Sequence, residues 1–146
     1  MVYRNVIAIC SLLLLFGHAV ADDAQRHQKV GGMDVYLGVI PAQLTQGHPK
    51  MHSGASLEEH RYHILVALFD NKTGKRITDA EIKTTVSPLG QIGKTMVLEP
   101  MHEEVRSFGN YFTLLKPEHY RIKLEIQRGN EAPVVTASFV YQRPRD

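Results

Sequence analysis

The six consecutive apolar residues from Ile64 to Phe69 constrain the fold of this chain more than any other stretch. A short run rich in branched residues and closed by a polar turn, here residues 70–74, predicts a strand buried on both faces. Beyond the turn, the even-numbered residues from Ala80 to Val86 alternate with polar ones, which predicts a strand with one exposed face. We interpret the two strands as the centre of an antiparallel β domain.

The same alternation of apolar and polar residues recurs along the rest of the chain, and no segment shows a helical period over three turns. It marks residues 33–39, 94–99, 109–115, 119–128 and 135–141. About seven short strands separated by turns predict an all-β fold, an immunoglobulin-like antiparallel β-sandwich, in a single domain over residues 33–142. Tyr120 opens the sixth of these strands, where such sandwiches often place a tyrosine that hydrogen-bonds across a corner.

The N-terminal segment has the pattern of a secretory signal peptide. Residues 6–16 are apolar except for Ser11, and Ala19-Val20-Ala21 is a small-residue cleavage pattern. We therefore expect residues 1–21 to be removed, residues 22–32 to form a mobile tail, and the mature protein to be periplasmic. The one cysteine, Cys10, lies in the signal segment, so the mature domain must depend on packing or on a bound metal.

Charge and motifs exclude several functional classes. Seventeen basic and fifteen acidic residues are interspersed, so no nucleic-acid groove or membrane-surface patch is predicted. The chain contains no G-x-S-x-G, no H-E-x-x-H and no glycine-rich phosphate loop. We therefore predict that the protein is not an enzyme.

Histidine and methionine side chains cluster in the segment that contains His48, Met51 and His52. Thioethers favour Cu(I), and imidazoles bind Cu(II) or Zn(II) as well. The glycines and serine around these residues would let the backbone wrap an ion. The alternative interpretation is a solvated loop whose histidines bind nothing.

Two further pairs add to this set. His60 and His63 lie at the start of the central strand, where residues three apart point to opposite faces unless the strand has a bulge or begins only at Tyr62. Each could instead be a strand-end histidine hydrogen-bonded to the backbone. Met101-His102 repeats the Met-His pair at 51 and 52. If both loops lie at one end of the sandwich, their ligands converge, and if they lie at opposite ends, they do not.

A family resemblance rests on the order of these motifs. A buried strand is followed by D-x-x-T-G-K-x-I-x-D-A-x-I (residues 70–82), a Met-His segment, G-N-Y (109–111) and a strand that begins at Tyr120. Over residues 61–142 this resembles the small exported β-sandwich domains of the YtkA/FixH-like kind. Arg76-Ile77 stands where that family often has a proline and an aliphatic residue. The resemblance implies an envelope protein that handles metal, especially copper.

Together these observations predict a periplasmic metal-binding protein, a copper carrier or chaperone. Its candidate ligands are Met51, His52, His48, His60, His63, Met101 and His102. The alternative is a metal-free interaction module that binds an envelope or membrane protein through an exposed sheet edge. Neither hypothesis involves nucleic acid.

Overall fold

The computed structural model describes residues 25–45, 60–101 and 106–145, and these residues are nearly all β. They form nine strands, all paired antiparallel, so the predicted all-β class is confirmed. The strands are β1 His27–Val30, β2 Met33–Pro41, β3 Arg61–Asp70, β4 Arg76–Ile77, β5 Ala80–Pro88, β6 Lys94–Pro100, β7 Phe108–Thr113, β8 His119–Arg128 and β9 Val135–Gln142. A 3-10 helix, Ala42–Thr45, follows β2. No helix in these ranges is long and apolar enough to cross a membrane.

The strands follow one path, β1-β2-β3-β7-β6-β5-β8-β9, with β4 paired to β3. Strand β6 connects the two layers, because its residues 94–98 pair with β5 and its last two, Glu99 and Pro100, pair with β7. At the far ends, the Gln28 side-chain amide on β1 donates to the Ser138 carbonyl on β9 at 2.6 Å. The Ser138 N–H donates back to the Gln28 amide oxygen at 3.1 Å. The result is a nearly closed sandwich.

The core lies between the two layers and follows the predicted alternation. Ile64, Val66 and Leu68 of β3 are fully buried, as are Ile82 of β5 and Leu124 of β8. Burying such side chains contributes roughly 1.5–3 kcal/mol each. The prediction that β3 is buried on both faces was wrong in part, since the side chains between these core residues are only half-buried. An apolar run cannot reveal this difference, because both faces read as hydrophobic.

Two short strands were missed by the sequence analysis. We expected residues 22–32 to form a mobile tail, but His27–Val30 is strand β1, joined to β2 through Gly31 and Gly32, which both have positive φ. The other is β4, two residues long. At four and two residues, these strands are too short to show a clear alternation. The signal peptide predicted over residues 1–21 lies outside the described residues.

The predicted tyrosine corner is present. The Tyr120 hydroxyl donates to the Lys116 carbonyl and accepts from the Lys116 N–H, both at 3.1 Å. Its ring is buried in the core. This local feature ties the connection before β8 to the strand itself.

Candidate functional site

Three of the seven candidate ligands lie within the described residues: His60, His63 and Met101. The other four lie outside them: His48, Met51, His52 and His102. The structure therefore locates only the part of the predicted site that is carried by β3 and by the end of β6.

His63 lies on the outer face of β3, because the core face of this strand carries its even-numbered neighbours. It is nevertheless buried, with 4% of its surface exposed. Its ring stacks on Tyr111, the residue directly opposite in β7, with centroids 4.4 Å apart and planes 17° apart. The Tyr111 hydroxyl lies 3.0 Å from the Thr45 hydroxyl, which donates to the Ala42 carbonyl. These contacts hold the imidazole plane in one orientation.

Met101 approaches the same place from β6. Its N–H donates to the Ser107 carbonyl at 2.7 Å, which continues the pairing of β6 and β7 beyond Pro100. Gly109 of β7 shares the outer face with Tyr111, two residues away. A Cβ atom built on Gly109 would lie 2.7 Å from His63 Nε2 and 3.1 Å from Met101 Sδ. The imidazole nitrogen and the thioether sulfur therefore converge on one small volume over Gly109.

This volume can be tested for its fit to a metal ion. The cradle that a Cβ would fill is bordered by one imidazole nitrogen and one thioether, a donor pair that suits copper. Within ranges 25–45, 60–101 and 106–145, no three His, Cys, Asp or Glu side chains gather into a metal-binding group. The described part of the chain thus supplies two ligand atoms, which fit an ion of low coordination number.

An open groove of about 430 Å³ leads to Met101. It is lined by residues at the junction of β6 and β7, among them Pro100, Arg106 and Phe108. Met101 itself is half-buried. The groove therefore reaches one of the two candidate ligand residues.

His60 lies in a different environment from His63. It directly precedes β3 and has a positive φ of 65°, so the alternation of the strand does not set the direction of its side chain. Its Nδ1 contacts the Arg143 guanidinium, and its carbonyl accepts from Leu114 N–H at 2.9 Å. Because Arg143 can only donate, Nδ1 acts as the acceptor in this contact. An ion at that nitrogen would have to displace a buried arginine.

Sequence reasoning missed three residues that shape these surroundings. Gly109 and Tyr111 were read only as the start of a strand, and Arg143 only as part of a basic end. A glycine inside a strand often marks a close approach of other groups, which is the signal that could have singled out Gly109. No pattern in the sequence distinguishes Arg143, which is 2% exposed, from an ordinary surface arginine.

No protein-family model matches this chain, and a comparison with curated proteins finds no match. Among solved structures, it is similar to a DUF4426 family protein from Pseudomonas aeruginosa, at 21% identity and a TM-score of 0.65, over 83% of this chain and 95% of that one. It is also similar to a copper-bound variant of FetP from uropathogenic Escherichia coli, at 14% identity and a TM-score of 0.63. That similarity covers 82% of this chain and 95% of the FetP chain. These likenesses show that the fold is that of small bacterial β-sandwich-like proteins. The resemblance to YtkA/FixH-like domains stays a prediction.

Proposed function

We propose that this protein is an exported, periplasmic β-sandwich protein that binds a copper ion and carries or delivers it, without catalysing a reaction. The observation that supports this most directly is the convergence of His63 Nε2 and Met101 Sδ over Gly109. The likeness in fold to a copper-bound FetP variant supports the choice of metal. The cleavage pattern at residues 19–21 supports export.

The surroundings of His63 favour binding because they reduce its entropic cost. An imidazole stacked on Tyr111 and buried in the sheet loses little further freedom when it ligates an ion. The remaining candidates, His48, Met51, His52 and His102, would complete the coordination. In sequence, His102 directly follows Met101, and the other three lie in the segment between Thr45 and His60.

A thermal-shift titration of the mature protein with Cu(I) under reducing conditions tests this function. Binding to the folded state alone stabilises it by about 2.7 kcal/mol at a free-ion concentration of a hundred dissociation constants, so Tm should rise. His63→Ala should abolish the rise. His119→Ala is the matched control, since it removes an exposed imidazole on β8 in the other layer. If no ion raises Tm, or if both variants lose binding equally, the protein is not a copper carrier of this kind.

The interaction-module hypothesis is favoured by a different observation, the outer edge of β9. The backbone of Ser138 bonds to Gln28 rather than to β8, so by alternation Val140 also directs its backbone groups away from β8. Val140 is 47% exposed. An extended segment of an envelope or membrane protein could add to this edge as a further strand. A photo-crosslink from residue 140 to one envelope protein in metal-depleted cells would support this hypothesis. If no crosslink forms, the hypothesis is excluded.

A further inference from the structure

Gly109 lacks a side chain for a reason that its backbone does not explain. Its φ is not positive, so it lacks the left-handed conformation that favours glycine at other positions in this chain. Glycine inside a strand loses more conformational freedom on folding than alanine does. Because the backbone conformation at position 109 allows any residue, the reason for glycine lies in the side chains around it.

Three neighbouring side chains pack where a side chain at position 109 would lie. A Cβ would lie 2.7 Å from His63 Nε2, 3.0 Å from Leu65 Cδ2 and 3.1 Å from Met101 Sδ. Favourable contacts of carbon with other heavy atoms lie at about 3.5–4.0 Å. Metal–nitrogen and metal–sulfur bonds, in contrast, are about 2.0–2.3 Å long. Because His63 Nε2 and Met101 Sδ lie 2.7 Å and 3.1 Å from one point, a small movement of the Met101 side-chain end would let both atoms bind one ion.

We propose that the cargo is Cu(I) and that it binds between His63 Nε2 and Met101 Sδ, where these two side chains meet beside Gly109. This inference rests on the proposed function and adds to it the ion's oxidation state and position. Thioether sulfur selects Cu(I) over the divalent ions.

The charge of the surroundings also favours a monovalent ion. An imidazole that ligates an ion is neutral, as is a thioether, and the third side chain at this point, Leu65, is apolar. A divalent ion would keep two charges there, at a larger desolvation cost than one. Among the described residues, the acid paired in register with Gly109 is Glu99 on β6, and at its exposed position water screens the charge.

A pair of glycine variants tests this placement. Gly109→Ala places a Cβ against the His63, Leu65 and Met101 side chains and so forces the two candidate ligand atoms to move. Gly38→Ala is the matched control, because Gly38 lies on the other side of Leu65, on β2, and its Cβ would meet Leu65 Cβ at an ordinary 3.5 Å. Met101→Leu removes the thioether while conserving volume.

The measurement is Cu(I) affinity of the mature protein by competition with a chromophoric chelator, together with Cu(II) and Zn(II) titrations. Wild type and Gly38→Ala should bind one Cu(I) equally, and more tightly than either divalent ion. Gly109→Ala and Met101→Leu should each bind Cu(I) at least about tenfold more weakly. In wild-type protein, Cu(I) should shift the NMR signals of the Met101 methyl group and the His63 ring, a readout that does not depend on any variant folding.

The possible failures are distinguishable. If wild type binds no ion, the proposed function itself is wrong. If wild type binds Cu(I) but Gly109→Ala binds it equally and the Met101 and His63 signals do not move, the ion lies elsewhere and only this inference is overturned. Equal or tighter binding of Cu(II) or Zn(II) would overturn the assignment of Cu(I).

Discussion

The tyrosine corner allows a quantitative prediction about stability. Tyr120→Phe keeps the buried ring and removes only the hydroxyl, which bonds to both the N–H and the carbonyl of Lys116. A hydrogen bond contributes about 0.5–1.5 kcal/mol net, so the two together contribute about 1–3 kcal/mol. Lys116 is exposed, and water can replace part of the lost bonding. We therefore expect the free energy of unfolding to fall by about 1–2 kcal/mol.

Urea unfolding of the mature protein, followed by far-UV circular dichroism, measures this loss. For a domain of this size, thermal unfolding should show a fall in Tm of about 3–6 °C per kcal/mol. Tyr36→Phe is the control, because Tyr36 is 44% exposed and a surface substitution of this kind changes stability by less than about 0.5 kcal/mol. If the two variants are equally stable, the corner does not contribute as argued.

Two further predictions concern the surface. Hydrogen bonds from the Thr73 N–H and hydroxyl, above all, lower the pKa of Asp70 below its ordinary 3.8, so the ionised carboxylate stabilises the fold above that pH. Wild type should be more stable than Asp70→Ala, and this difference in the free energy of unfolding should shrink as the pH falls below about 3.8. Urea titrations at several pH values measure the difference, and a constant value would contradict the argument. Gln28→Ala should speed hydrogen exchange of the Ser138 amide, whereas Gln28→Glu, which keeps an acceptor, should speed it less. Equal exchange in wild type and Gln28→Ala would show that the seam between β1 and β9 does not protect that amide.

Much of the fold could be predicted because it depends on local periodicity. The alternation along residues 80–86 and 119–128 identified β5 and β8 and assigned Ile82 and Leu124 to the core, since a strand repeats every two residues. The role of Tyr120 could be predicted because it is also local: its hydroxyl bonds to a residue only four positions earlier. Strands β1 and β4 could not, because four and two residues are too few for an alternation to be recognised.

The candidate site depended on tertiary structure. The sequence by itself identified His63 and Met101 as candidate ligands, from the chemistry of imidazole and thioether. It could not show that the two atoms converge, because this depends on the pairing of Leu65 with Gly109, which are far apart in the chain. A shift of that register by one residue would turn Tyr111 and Gly109 to the core face. The sequence alone determines which side chains can act as ligands, whereas the register between distant strands is set only when the core packs.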